Sequence, residues 1–122
     1  MPKQGKQGKK AKDSRGDVLR LDDISNAVSK IELMVEGVDR DEFMENEGLR
    51  ERVLFNIIVI GEAADNLSKE FTDKHSDIPW VDIIGMRHRL THGYFKINTE
   101  LVWNVVENDI PGLKRKLGQL EE

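Results

Sequence analysis

The amino-acid sequence predicts an all-α fold: an up-and-down bundle of four main helices plus a short helical segment. Apolar residues recur at three- and four-residue steps in successive stretches from residue 19 onwards, and no stretch alternates with the two-residue period of a half-buried strand. A chain of 122 residues is the usual size for one core, and without cysteine it has no disulfide or thiolate chemistry. We therefore expect one helical domain, residues 18–122, after a leader of residues 1–17.

The leader is basic and lacks apolar periodicity. Residues 1–16 hold six Lys or Arg side chains against one carboxylate, a net +5, so a total of −4 leaves −9 on the remaining residues. Such a segment cannot bury enough surface to offset its ordering entropy, which predicts disorder. It is either an electrostatic arm for RNA or a solvated tail. The acidic body lacks the basic surface of tight nucleic-acid binders, so any RNA contact should be local and brief.

The first half of the domain predicts two long helices joined by a connector. A first helix of about four turns is predicted from Leu19 to a stop at Gly37, and residues 39–47 predict a short helical turn with a capping aspartate. Residues 46–74 form the longest periodic run, predicted as a helix with apolar residues over a wide face. Gly61 falls in its middle, which favours a tight crossing with another helix.

The second half predicts two more helices. Pro79 suits the first turn of a helix that runs towards a carboxyl-terminal cap at Gly93. Thr99 is expected to cap the final helix, and Pro111 predicts a kink or break near Asp109.

The stretch from residue 86 to 95 concentrates reactive side chains at the end of a predicted helix. It contains Arg87, His88, His92 and Tyr94 in a chain with three histidines and one tyrosine. On a continuous helix, Arg87 and Tyr94 share a face, as do His88 and His92, whereas Arg87 and His92 lie about 140° apart and flank a groove. Two copies facing each other across a symmetry axis would close that groove into one pocket.

These groups suit phosphodiester cleavage without a metal or cofactor. Histidine, with a reference pKa near 6.5, is matched to proton transfer at neutral pH, so His92 is assigned acid/base work. Arg87 would hold the negative charge of the transition state. His88 would position the phosphate or serve as a second proton-transfer group, and Tyr94 would orient RNA by stacking or through its hydroxyl. The competing interpretation is that these cations only interact with the partial negative charge at the carboxyl end of the helix, an interaction that contributes ~0.3–1 kcal/mol.

Other candidate residues favour structural roles. His75 is expected to be a solvated loop residue, Trp80 and Trp103 to pack in the core, and Glu62 to lie on a helix surface. No histidine and carboxylate cluster has metal-ligand spacing. The chain has neither a signal-peptide segment nor an apolar stretch approaching the roughly 20 residues of a membrane span, so a cytoplasmic protein is expected.

Arg87, His92 and Tyr94 together resemble the R-x-x-x-x-H-x-Y signature of HEPN-domain toxins of the HepT-like family, encoded beside a minimal nucleotidyltransferase antitoxin, MntA. Residues 60–64, 78–87, 102–103 and 109–111 also resemble that family, so the likeness covers about residues 18–120.

The resemblance implies a HEPN-like homodimer whose motif helices line a shared cleft, and the toxin of a type VII HepT/MntA toxin–antitoxin system. It further implies metal-independent endoribonuclease activity on cellular RNA, tRNA among the targets, and neutralisation by transfer of AMP from ATP to Tyr94. His88 departs from the asparagine most common at its position, which leaves its role open.

Two alternatives come from other functional classes. One is a non-catalytic nucleotide-binding or adaptor module that partners a nucleotidyltransferase. The other is a purely structural helical dimer. Substitution of Arg87 or His92 would silence RNA cleavage only if the enzyme hypothesis holds.

Overall fold

The computed structural model describes the backbone of residues 14–92 and 96–120; within those ranges it describes no side chain at positions 14, 15, 87–89, 91, 92, 96 and 97. The helices are α1 (Ser14–Val35), α2 (Arg40–Glu45), α3 (Glu47–Asp65), α4 (Lys69–Lys74), α5 (Trp80–Leu90), α6 (Thr99–Asn104) and α7 (Ile110–Leu120), with a π-helical segment (Val105–Asp109) between the last two. Two short strands, β1 (Thr91–His92) and β2 (Lys96–Ile97), follow α5.

The predicted all-α bundle is confirmed. Helix α3 packs between α1 and α5, and the α6–π–α7 arm closes the bundle through contacts with α1 and α5. These elements form four layers, namely α1, α3, α5 and the α6–π–α7 arm, and the core lies between them. Its largest buried side chains include Ile24, Ile31, Ile57, Ile60 and Leu90. None of the helices in the described ranges is long and apolar enough to span a membrane.

Helix α1 begins before the predicted domain boundary. It starts at Ser14, so the expectation of a disordered leader reaching residue 17 is wrong for its last four residues, while residues 1–13 lie outside the described ranges. Asp17 is only 4% exposed, and its carboxylate accepts hydrogen bonds from the Ser68 backbone N–H at 2.8 Å and the Ser68 hydroxyl at 2.7 Å. This contact between distant segments orders the start of α1, and apolar periodicity contains no signal for it.

The predicted long helix over residues 46–74 is two helices. Helix α3 ends at Asp65, and α4 begins at Lys69 after the Ser68 hydroxyl accepts a hydrogen bond from the Phe71 N–H at 3.1 Å. Leu67 is buried and Phe71 half-buried, so the apolar spacing continues across the break and hides it. A serine cap that is also bound by Asp17 decides the boundary.

The tight crossing predicted at Gly61 is confirmed. A Cβ atom on Gly61 would lie 3.4 Å from the Ile83 carbonyl oxygen and 3.5 Å from that of Ile84. Helix α5 therefore approaches α3 backbone to backbone at this point: a Cβ atom would just fit, and a larger side chain would meet the α5 carbonyls. The crossing fixes α5 in the bundle seven residues before the end of that helix.

The cap of the predicted connector and the predicted interruption of the final helix are both present. Asp39 forms the predicted cap, as part of a capping box with Glu42 at the start of α2. The interruption predicted near Asp109 takes the form of the π-helical segment, in which the Ile110 N–H donates to the Val105 carbonyl. The wider π turn closes on Ile110, directly before Pro111, which has no N–H to donate to an α-helical bond.

Candidate active site

The backbone of α5 and β1 places the predicted catalytic residues. Arg87 and His88 lie in the last turn of α5, which ends at Leu90, and His92 lies in β1. The prediction that the helix runs on towards Gly93 is wrong, and the 140° helical angle between Arg87 and His92 does not apply. Gly93 and Tyr94 lie outside the described residues.

Helix α5 ends at Leu90, where a later segment satisfies its terminal carbonyl. The Asn98 N–H donates to the Leu90 carbonyl oxygen at 2.6 Å. The four last carbonyls of a helix have no partner within it, so this bond caps α5 from outside. After Leu90 the chain continues as strand β1, so His92 lies outside the helix that contains Arg87.

The hairpin is antiparallel and closely defined at its base. Thr91 pairs with Ile97, and His92 pairs with Lys96, so the Cα of His92 lies opposite that of Lys96. The structure thus brings the backbone of Arg87, His88 and His92 together at one end of the bundle, on a helix and on the strand that follows it directly. The β1–β2 hairpin is the only β-structure in residues 14–92 and 96–120.

Packing of α5 gives the site a fixed base. Ile83, Met86 and Leu90 are 6%, 2% and 1% exposed, respectively, and occupy the three- and four-residue spacing of a buried helical face. Arg87 follows Met86 directly, so its backbone is held by the core on one side. A catalytic group is most effective when the element that carries it is held by such packing.

The remaining sequence candidates have structural positions. His75 does not lie free in a solvated loop, as the sequence suggested: its ring is 4.5 Å from that of Phe71, and its carbonyl accepts a hydrogen bond from the Trp80 indole N–H at 3.0 Å. Trp80 and Trp103 are buried as predicted, and the ring of Trp103 lies 5.0 Å from that of Phe43. The prediction for Glu62 is also confirmed, because it is exposed on α3.

Asn98 was not among the residues predicted from the sequence. Thr99 was the predicted amino cap of the final helix, but the Asn98 side-chain oxygen accepts the Leu101 N–H at 3.2 Å and caps α6. Asparagine is among the most favoured capping residues, so its place one residue earlier was a usable signal. Its bond to Leu90 joins residues on either side of the hairpin and had no sequence signature.

A large groove elsewhere on the surface has a different chemistry. It measures about 690 Å³, lies between α1 and α3, and is lined by apolar side chains such as Leu33, Met34 and Phe55 together with Lys30 and Arg52. Its lining contains neither histidine nor tyrosine, so it lacks a group matched to proton transfer at neutral pH. Among the side chains that the structure describes, no three His, Asp or Glu residues are grouped to hold a metal ion.

Comparison with known proteins gives consistent similarities. A family model described as "Ribonuclease HepT-like" matches residues 24–120. The chain is 32% identical over 102 residues to a Thermococcus cleftensis protein named "Probable ribonuclease HepT", covering 84% of this chain and 93% of the relative. It is 31% identical over 97 residues to a Methanocaldococcus jannaschii protein named provisionally as an RNase, covering 80% and 89%. A similarly named Caldanaerobacter subterraneus protein is 36% identical over 86 residues, covering 70% and 77%. No solved structure matches the chain.

Proposed function

The chain belongs to the HepT-like ribonuclease family, and on that basis we propose that it is the toxin of a type VII HepT/MntA toxin–antitoxin pair. In this proposal it is an endoribonuclease that cleaves cellular RNA, tRNA among its substrates. The observation that carries the proposal is the placement of Arg87 and His92 on α5 and the adjoining β1, inside the region matched by the family model.

The proposed reaction is an intramolecular transesterification of RNA. His92 accepts the proton of a ribose 2′-hydroxyl as that oxygen attacks the adjacent phosphorus. The bond from phosphorus to the 5′-oxygen breaks, a protonated imidazole donates a proton to that oxygen, and the products are a 2′,3′-cyclic phosphate and a 5′-hydroxyl. Arg87 holds the non-bridging oxygens with charge-assisted hydrogen bonds. These side chains supply both proton transfer and charge stabilisation, so the proposed mechanism uses no metal.

The need for two proton transfers supports a homodimer. One imidazole must act as a base while another acts as an acid, and an isologous dimer would bring two copies of His92 to one cleft. His88 is the alternative donor within one protomer, since it lies in the last turn of α5. A cleft shared by the motif helices of two protomers would thus supply both imidazoles from one residue, His92.

We also assign Tyr94 as the target of the antitoxin. Its hydroxyl oxygen would attack the α-phosphorus of ATP in the active site of an MntA-like nucleotidyltransferase, with loss of the hydroxyl proton and departure of pyrophosphate. The new phosphodiester would add negative charge and an adenosine near the motif, two residues beyond His92 in the sequence. That group would pair with the guanidinium of Arg87 and block RNA from the cleft.

The catalytic assignment is tested with purified protein and a tRNA substrate in the presence of EDTA. Arg87→Ala and His92→Ala should each lower cleavage by at least about 100-fold, in line with the loss of a general acid/base or an electrostatic donor. His75→Ala is the matched control, because it removes an imidazole whose ring packs against Phe71. Thermal unfolding should show that the two motif variants fold. Chelator-sensitive activity, or full cleavage by His92→Ala, would contradict the proposal.

The modification is tested by co-expression with an MntA-like nucleotidyltransferase and intact-mass measurement. We expect a mass increase by one or more AMP units, loss of toxicity, and neither change in Tyr94→Phe. An unshifted mass with persistent toxicity would refute AMP transfer. A purified dimer that binds nucleotide and cleaves no RNA would instead favour the adaptor function.

A further inference from the structure

Asn98 connects the helix that carries Arg87, the hairpin that carries His92 and the helix that follows. Its N–H donates to the Leu90 carbonyl at 2.6 Å, its side-chain oxygen accepts from the Leu101 N–H at 3.2 Å, and its carbonyl accepts from the Val102 N–H at 3.1 Å. We propose that Asn98 is a positioning residue for RNA cleavage: it holds the base of the β1–β2 hairpin and thereby sets His92 relative to Arg87.

The hairpin needs such an anchor because each strand has only two residues. Its ladder consists of the Thr91–Ile97 and His92–Lys96 pairs, and an isolated two-stranded hairpin is marginally stable in water. The hydrogen bond from Asn98 to Leu90 joins the two residues next to the Thr91–Ile97 pair, at the open end of the hairpin. The position of His92 therefore depends on where Asn98 is held.

Asn98 is held by a helix that is anchored in the core. Val102 and Trp103 of α6 are 1% and 9% exposed, and the Trp103 ring packs 5.0 Å from that of Phe43 on α2. The side-chain cap ties Asn98 to the first turn of this anchored helix. Without the cap, the first turn of α6 is free to fray, and the Asn98 backbone moves with it.

This inference rests on the proposed function, since it takes His92 and Arg87 to act on one phosphodiester. Catalysis is sensitive to small displacements, and a misplacement of about 1 Å can cost roughly 100-fold in rate. Loss of the cap should therefore lower kcat by about 10- to 100-fold with little change in KM, because a displaced catalytic group weakens contacts made in the transition state rather than ground-state binding.

The experiment compares Asn98→Ala with Asn98→Ser and Asn46→Ala. Serine retains a capping oxygen, so Asn98→Ser should recover most of the lost kcat. Asn46 is the matched control, because its side-chain oxygen accepts the Leu49 N–H at 3.0 Å and caps α3 by the same type of bond. Both alanine variants should lower Tm by a similar few degrees, and only Asn98→Ala should lower kcat.

Amide hydrogen exchange at residues 90–92 and 96–98 provides a readout that does not depend on activity. We expect about fivefold faster exchange in Asn98→Ala, the equilibrium equivalent of one lost cap, and unchanged exchange in Asn46→Ala. Equal kcat in the two alanine variants, failure of serine to recover kcat, or unchanged exchange would overturn the inference. If the parent protein cleaves no RNA, the proposed function fails, and the exchange comparison still decides whether Asn98 holds the hairpin.

Discussion

The crossing at Gly61 offers a direct test of what positions α5. In Gly61→Val, a branched side chain replaces a position where even a Cβ atom would lie 3.4 Å from the Ile83 carbonyl oxygen. The obstacle is backbone, which cannot rotate away as a flexible side chain would. Replacing glycine with valine in a helix gains about 0.3 kcal/mol in propensity, whereas overpacking costs about 1–3 kcal/mol. The expected net loss of unfolding free energy is about 1–3 kcal/mol.

Gly118→Val is the matched control for this prediction. Gly118 also lies within a helix, and a Cβ atom there would meet nothing within 4 Å. Thermal and urea unfolding should show Gly61→Val less stable than Gly118→Val, by about 4–12 °C in Tm for a domain near this size. Displacement of α5 should also lower RNA cleavage, because Arg87 lies on the same helix. Equal stability of the two variants would refute the close approach of α5 to α3.

Two other contacts give predictions of contrasting size. Asp17→Ala should lower the free energy of unfolding by about 2–3 kcal/mol, because it removes a charged acceptor and leaves the buried Ser68 N–H without its partner. Urea denaturation measures this loss, with substitution of the exposed Asp22 by alanine as the control. Equal losses of unfolding free energy in the two variants would contradict this account. The Arg40–Glu100 ion pair joins α2 to α6 at the surface, with side chains 49% and 66% exposed. A double-mutant cycle on these two residues should give a coupling below about 1 kcal/mol, and a larger value would show that the pair is desolvated in solution.

Much of the helical architecture follows from local patterns. The spacing of apolar residues predicts the four main helices of the bundle, Asp39 predicts a helix cap, and Gly61 predicts a close helix crossing. These features are readable because each depends on residues within one or two helical turns, or on the space that a missing side chain leaves.

The candidate site was predicted only in part. Arg87 and His92 are recognisable as a pair with suitable chemistry, and their place inside the matched region agrees with the family resemblance. Their relative geometry was predicted wrongly, because the helix was extended through His92 when it ends at Leu90. At that end the Leu90 carbonyl accepts a hydrogen bond from the Asn98 N–H, eight residues further along the chain.

The sequence by itself determined the all-helical class, the candidate site residues and the close helix crossing at Gly61. Tertiary structure alone decided where α1 begins, where α4 begins and how His92 leaves the helix of Arg87. In each of these cases a hydrogen bond from a separate segment lies at the boundary: Asp17 with Ser68, and Asn98 with Leu90. Periodicity reports which face of a helix is buried, and it contains no information on which distant donor or acceptor will satisfy that helix at its end.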